Sequence, residues 1–275
     1  MARSYNITKR QWAKYVDTLK RLQDRAANEM LAFMNLPQIK RLEGEEYSQA
    51  LIDYGYALAT KYGEGATAVA ADWYDAIATA EAMNLLPAVP ADTATIDETA
   101  KVVNGTLKTG NPTIISEAIG RLVKQAGADT TLQNAVRDGA YFAWVSSGDT
   151  CAYCLALAGL GWQKAGKNTL NDKHADHIHA NCDCAYVIDF NGDMNVAGYD
   201  PDGINRMITD MTDGSYDAED LIKESGHGSQ NYEGLNMIRR KFYADNKELI
   251  NEQKRSAYTK RLERNSSAAE EINVD

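Results

Sequence analysis

With 275 residues, 44% of them apolar, the chain can bury a substantial core as one large or two small domains. A formal net charge of −10 excludes a protein that coats nucleic acid by bulk charge, and no run approaches the apolar length of a membrane helix. Lys9, Arg10 and Lys14 precede no apolar signal core, so the chain is expected to be made and used in cytosol, where cysteines stay reduced.

The first half reads as helices. Trp12, Val16, Leu19, Leu22 and Ala26 recur at steps of three and four and predict an amphipathic helix from Thr8 to Phe33, broken by Asn35-Leu36-Pro37. A second helix is expected from about Glu45 to Tyr62, ended by Gly63-Glu64-Gly65, and a third, alanine-rich one from Thr67 to Met83. Pro87 and Pro90 mark Leu86 to Ala91 as a connector. Asp92 or Thr93 then caps a helix reaching Leu107. Pro112 opens another that ends near Gly127, and Thr130 caps one running through Trp144.

After Gly148 the pattern changes to glycine- and asparagine-rich loop. Cys184 to Phe190 is the best strand in the chain, and Asn191-Gly192-Asp193 is expected to turn it into a hairpin with Met194 to Tyr199. Short helices are expected at Asp202 to Thr212 and Asp217 to Glu224. A long charged helix from Tyr232 to Leu262 and a polar tail, Asn265 to Asp275, complete the chain. The stretch from Arg239 to Arg264 holds nine basic residues against four acids, a pattern that suits a solvated helix face or a contact surface for DNA or an acidic protein.

All four cysteines fall in one window: Cys151-x2-Cys154, then His179-x2-Cys182-x-Cys184. A tetrahedral structural zinc site takes four thiolates or imidazoles, and the two-residue spacing lets one loop turn offer two sulfurs to one ion. Five candidates compete for four places: Cys151 and Cys154 plus two of His179, Cys182 and Cys184. Residues two apart in a strand share a face, so Cys182 and Cys184 suit chelation or disulfides to the first pair equally well.

Other chemistries find less support. A zinc deaminase needs His-x-Glu before its cysteine pair, and none is present. Cys151-Ala152-Tyr153-Cys154 lacks the βαβ context of a thioredoxin-like site, and neither a Gly-x-Ser-x-Gly elbow nor a Walker loop occurs. Asp176-His177-Ile178 looks like the start of an HNH-type nuclease motif. The second cysteine pair follows too closely to enclose such an element, and no downstream Asn and His continue it.

Three segments carry a resemblance: Trp144-Val145-Ser146-Ser147-Gly148-Asp149-Thr150-Cys151-Ala152-Tyr153-Cys154, Leu157-Ala158-Gly159-Leu160-Gly161-Trp162, and His179-Ala180-Asn181-Cys182-Asp183-Cys184. Together they resemble the phage minor head proteins related to phage Mu protein F. The resemblance implies a virion component of a tailed double-stranded DNA phage, acting in head morphogenesis and associated with portal, major capsid protein and capsid interior. Asp183 stands where family members often carry Arg, so a DNA contact assigned to that Arg does not carry over.

The expectation is therefore a mainly α protein with a small α+β module: a helical region 1–128, a cysteine/histidine module 129–200 built as a zinc knuckle and β-hairpin, and a helical region 201–275. Its expected role is structural, without enzymatic activity, in the virion and, during assembly, in host cytoplasm. An HNH-like metal-dependent nuclease is the alternative.

Overall fold

The computed structural model describes residues 5–146, 150–167, 169, 184–226, 232–248 and 252. Helix α1 (Lys9–Met34) begins with a capping box: Gln11 N donates to the Thr8 hydroxyl, and Thr8 N donates back to Gln11 Oε1. Its periodic apolar face, from Trp12 through Leu19 to Met34, is buried as the spacing predicts.

Helix α2 (Gly44–Ala80) is one continuous element of 37 residues, so Gly63-Glu64-Gly65 does not end it. The glycines serve packing instead. A Cβ on Gly63 would come within 2.9 Å of Thr93 Cγ2, and one on Gly65 within 3.3 Å of Leu22 Cδ2. The helix ends in a Schellman arrangement, with Ala82 at φ +56°, Met83 N donating to Ala78 O and Ala82 N to Thr79 O.

Helix α3 (Ile96–Leu107) starts later than Asp92 or Thr93 would set it, because Thr95 and Glu98 form the capping box. Helix α4 (Pro112–Asp138) fuses two expected helices. Gly127 fits closely against Ala66 and Leu19, and Thr130 is no cap: its buried hydroxyl donates to Ala126 O and accepts from Ala91 N. Helix α4 passes unbroken through residues 128 and 129 and packs on both α1 and α2, with α3 laid across α2 and α4.

The connector between α2 and α3 is stapled to the bundle by side chains. Asp75 accepts from Ala88 N (2.8 Å). The Asn134 amide exchanges bonds with both N and O of Val89 (2.9 and 2.8 Å), and the Arg137 guanidinium donates to Leu86 O and Pro87 O (3.0 Å each). Backbone groups that lack a secondary-structure ladder are thereby satisfied.

Gly139 (φ +64°) stops α4, and Tyr141–Val145 forms strand β2 rather than continuing the expected helix to Trp144. This Tyr-Phe-Ala-Trp-Val run is almost wholly buried, and a short buried apolar run has no periodicity to separate strand from helix. β2 is the centre of an antiparallel sheet, flanked by β3 (Gln163–Lys164) and β4 (Ala185–Asp189), with Trp144 opposite Tyr186 and Val145 opposite Ala185.

The expected hairpin after β4 does not form. Residues Asn195–Val196 (β5) pair in parallel with Asn6–Ile7 (β1) at the start of the chain. Helix α5 (Ala152–Gly159), placed where loop was expected, is buried on every face and packs between α6 (Pro201–Met211) and α7 (Ala218–Ser225). Helix α8 (Glu233–Asp245) is shorter than the expected helix from Tyr232 to Leu262: a turn at Asn246, whose side-chain amide donates to Phe242 O, interrupts it, and residues 247, 248 and 252 are helical again. The rest of that expected helix is largely outside the described residues, as is the tail from Asn265. One apolar core runs through the bundle, the sheet and the C-terminal helices, and mainly α with a small sheet module describes the result.

Candidate functional site

Three of the five predicted ligands fall within the described residues. Cys151 is the N-cap of α5: it is exposed, and its Sγ accepts the Cys154 N–H at 3.3 Å. Cys154 lies one turn in and Cys184 immediately precedes β4, both 1% exposed. His179 and Cys182 lie outside the described residues, as do His174 and the Asp176-His177-Ile178 run.

The pairing of Val145 with Ala185 sets the chain entering the Cys151–Cys154 turn beside the chain leaving Cys184. Among the described residues, however, no group of three or more His, Cys, Asp or Glu side chains is placed to hold a metal ion. The donors have the right chemistry for zinc, but the described ones do not complete a site, and the zinc-knuckle architecture gains no support from them.

The surroundings of Cys184 are tight. Two cavities of about 10 Å³, each the size of one water, border it; Leu19, Lys124 and Ala185 line both. The second also touches Tyr15, Thr131, Trp144 and Tyr186. Trp144 and Tyr186 meet edge-on at 4.4 Å between centroids, and among the described residues Trp144 Nε1 and Tyr186 Oη are buried without a hydrogen-bond partner.

Burial, then the nearby Tyr153, Asp129 and Cys154, drives the Tyr186 phenol well above its ordinary range. Burial followed by the Cys154 and Cys151 groups does the same for Tyr153. Burial, opposed by a bond to Thr131, pushes Tyr15 up to about 12. These phenols stay neutral, so they themselves add no negative charge behind the cysteines.

A second feature, with no signal in the sequence, lies where α2 meets β4. Glu81 and Asp189 are 108 positions apart, both buried, and share a carboxyl–carboxylate hydrogen bond. Asp189 is held by the turn after β4, accepting from Asn191 N (3.2 Å), Asp193 N (2.6 Å) and Met194 N (2.9 Å). Burial opposes its charge, but these N–H groups and the Glu81 carboxyl outweigh that and hold it below the ordinary aspartate value. Glu81 accepts one N–H, from Phe190, at 3.2 Å. Burial first, then its bond to Asp189 and the charges of Asp189 and Asp193, raises Glu81 to about 8. Glu81 is the proton donor of the pair and Asp189 the anion.

Tyr74 continues this seam. Its ring meets Phe190 edge-on, and its hydroxyl donates to Asp138 Oδ2 (2.9 Å), which Arg137 also binds (2.7 Å). The groups that staple the connector and those that seat the β4 turn are thus neighbours, joined through the edge-on contact of Tyr74 with Phe190.

No helix among the described residues is long and apolar enough to cross a membrane. Comparison with known families finds a match over residues 6–211 to a model described as VG15 protein. The curated proteins and the solved structures give no match.

Proposed function

The chain belongs to the VG15 family, a viral gene-product family, and from that membership we propose a phage-encoded structural protein acting in head morphogenesis. In this reading it is a minor capsid component, associated with the portal and the capsid interior, present in the virion and in host cytoplasm during assembly. The observation that carries the proposal is the family match across both the helical bundle and the sheet module. The Mu F-like cysteine segments add to it, because β2 and β4 bring their flanks together.

Zinc is part of the proposal as a structural cross-link. Cys151 and Cys154 with two of His179, Cys182 and Cys184 would hold it, tying the α5 turn to the start of β4. Binding and local folding would then be one free-energy change. Elemental analysis of protein purified under reducing conditions should give one zinc per chain, lost in Cys151→Ser or Cys184→Ser together with cooperative melting. Full stability of metal-free protein removes the zinc from the reading.

The basic segment beginning at Arg239, Arg240 and Lys241 supplies a surface for packaged DNA, and Arg240 already pairs with Glu233 at 2.6 Å. Salt-dependent binding of duplex DNA tests that contact. The head assignment itself is tested by co-producing the protein with the portal and major capsid proteins of its phage and analysing purified heads by mass spectrometry. Retention through density-gradient purification is expected; complete absence from assembled heads overturns the proposal.

A further inference from the structure

The stapled connector has a three-residue repeat in both sequence and burial. Leu85 and Ala88 are partly buried and Ala91 is 8% exposed, so every third residue faces the bundle. The residues between them point out as two aliphatic–proline pairs, Leu86-Pro87 and Val89-Pro90, with Leu86 75% and Val89 62% exposed. A period of three is that of a polyproline II helix, and both prolines have the fixed φ that this conformation uses.

The conformation is imposed before any partner arrives. Asp75, Asn134, Thr130 and Arg137 hold the connector's N–H groups at Ala88, Val89 and Ala91 and its carbonyls at Leu86, Pro87 and Val89. Because these backbone groups are taken, the segment does not offer a free strand edge for β-augmentation. It offers side chains: two aliphatic–proline steps, about 9 Å apart at the polyproline rise. Leu86 and Val89 are thus exposed together, in register, on a backbone held in place.

We propose that Leu86-Pro87-Ala88-Val89-Pro90 is a preformed docking ligand for a partner with an aromatic-lined, polyproline-binding groove of the SH3 type. Each aliphatic–proline pair fills one slot between aromatic rings, the mode by which such grooves read Pro-x-x-Pro segments. The flank of the segment sets the charge of the partner. Asp92 is an exposed acid two residues beyond Pro90, whereas behind the strap Asp138 is paired with Arg137 and Asp75 is bonded to Ala88 N. A groove with a Lys or Arg beside the slot for Val89-Pro90 therefore fits, and one with an acidic rim does not. The ordering cost of the ligand is already met by the fold, which favours binding relative to a free peptide of the same sequence.

The inference is independent of the head-assembly reading, since it concerns what this segment binds in solution. Its test is titration calorimetry of the full chain against three purified SH3 domains that share the aromatic slots and differ in rim charge: basic, neutral and acidic. The basic-rimmed domain should bind the chain at least tenfold more tightly than the acidic-rimmed one. It should also bind the chain more tightly than a synthetic peptide covering residues 84–92.

The double variant Leu86→Ala/Val89→Ala, whose side chains are exposed, should melt as the parent does and lose at least tenfold in affinity. No binding to any of the three domains overturns the proposal. So does binding that survives the double substitution, or a preference for the acidic rim.

Discussion

Gly120 marks a close crossing of α1 and α4, and substituting it by Ala measures how tightly those helices are joined. A Cβ there would lie 2.9 Å from Gln23 O, 3.1 Å from Gln23 Cγ and 3.4 Å from Ala27 Cβ. The nearest atom is main-chain oxygen inside α1, so relief requires the helices to separate by several tenths of an ångström. Overpacking of this kind costs about 1–3 kcal/mol. Gly105 in α3 is the matched control, because a Cβ there meets nothing within 4 Å. Gly105→Ala should stabilise by about 0.5–1 kcal/mol through helix propensity alone. The same gain accompanies Gly120→Ala, so the difference between the variants isolates the clash. At about 2–4 °C per kcal/mol for chains near this size, Gly120→Ala should melt roughly 2–12 °C below Gly105→Ala. Thermal and urea denaturation of both variants provide the comparison. Equal stability would show that the crossing is loose and the argument from close approach wrong.

The carboxyl seam gives a pH prediction. Glu81 holds its proton to about pH 8 in the folded chain, against an ordinary value of 4.5, so its stabilising contribution is complete below about 4.5 and is lost as pH climbs to 8. Asp189 acts oppositely, contributing above its ordinary value of 3.8 and losing that contribution on acidification. Melting temperature should therefore fall between pH 5 and 8, and Glu81→Gln should flatten that decline; an unchanged slope in the variant refutes the assignment. Tyr186→Phe removes a buried hydroxyl that has no partner among the described residues, so stability should stay level or rise by up to about 1 kcal/mol, and a loss larger than that would reveal a partner. Thr95→Ala removes the capping box of α3 and should cost about 0.5–2 kcal/mol in urea denaturation; no change would mean that α3 is held by its packing alone.

Where periodicity was strong the sequence was readable, as in α1, whose buried face follows Trp12, Val16, Leu19 and Ala26. Glycine was the main source of error. Gly63, Gly65 and Gly127 resemble breakers in one dimension, yet each allows close contact with a neighbouring element. Strand β2 was hidden because its residues are apolar on both faces. Helix α5 was hidden because a cysteine, an uncommon N-cap, opens it. Cys151, Cys154 and Cys184 stand out in the sequence by their spacing, but the described residues form no metal-holding group, whereas the Glu81–Asp189 pair depends on a tertiary meeting that no local pattern announces.

The parallel pairing of β1 with β5 has a consequence for the order in which the chain is made. Asn6 and Asn195 are about 190 positions apart, so the first strand waits for its partner throughout most of synthesis, roughly 10–40 s at ribosomal speed. In that interval α1 can already pack on α2 and α4, both complete by Asp138. The β1–β5 contact closes a loop of about 190 residues and cannot form before Val196 is made. Nascent chains released before Val196 would carry a formed bundle with an unpaired first strand.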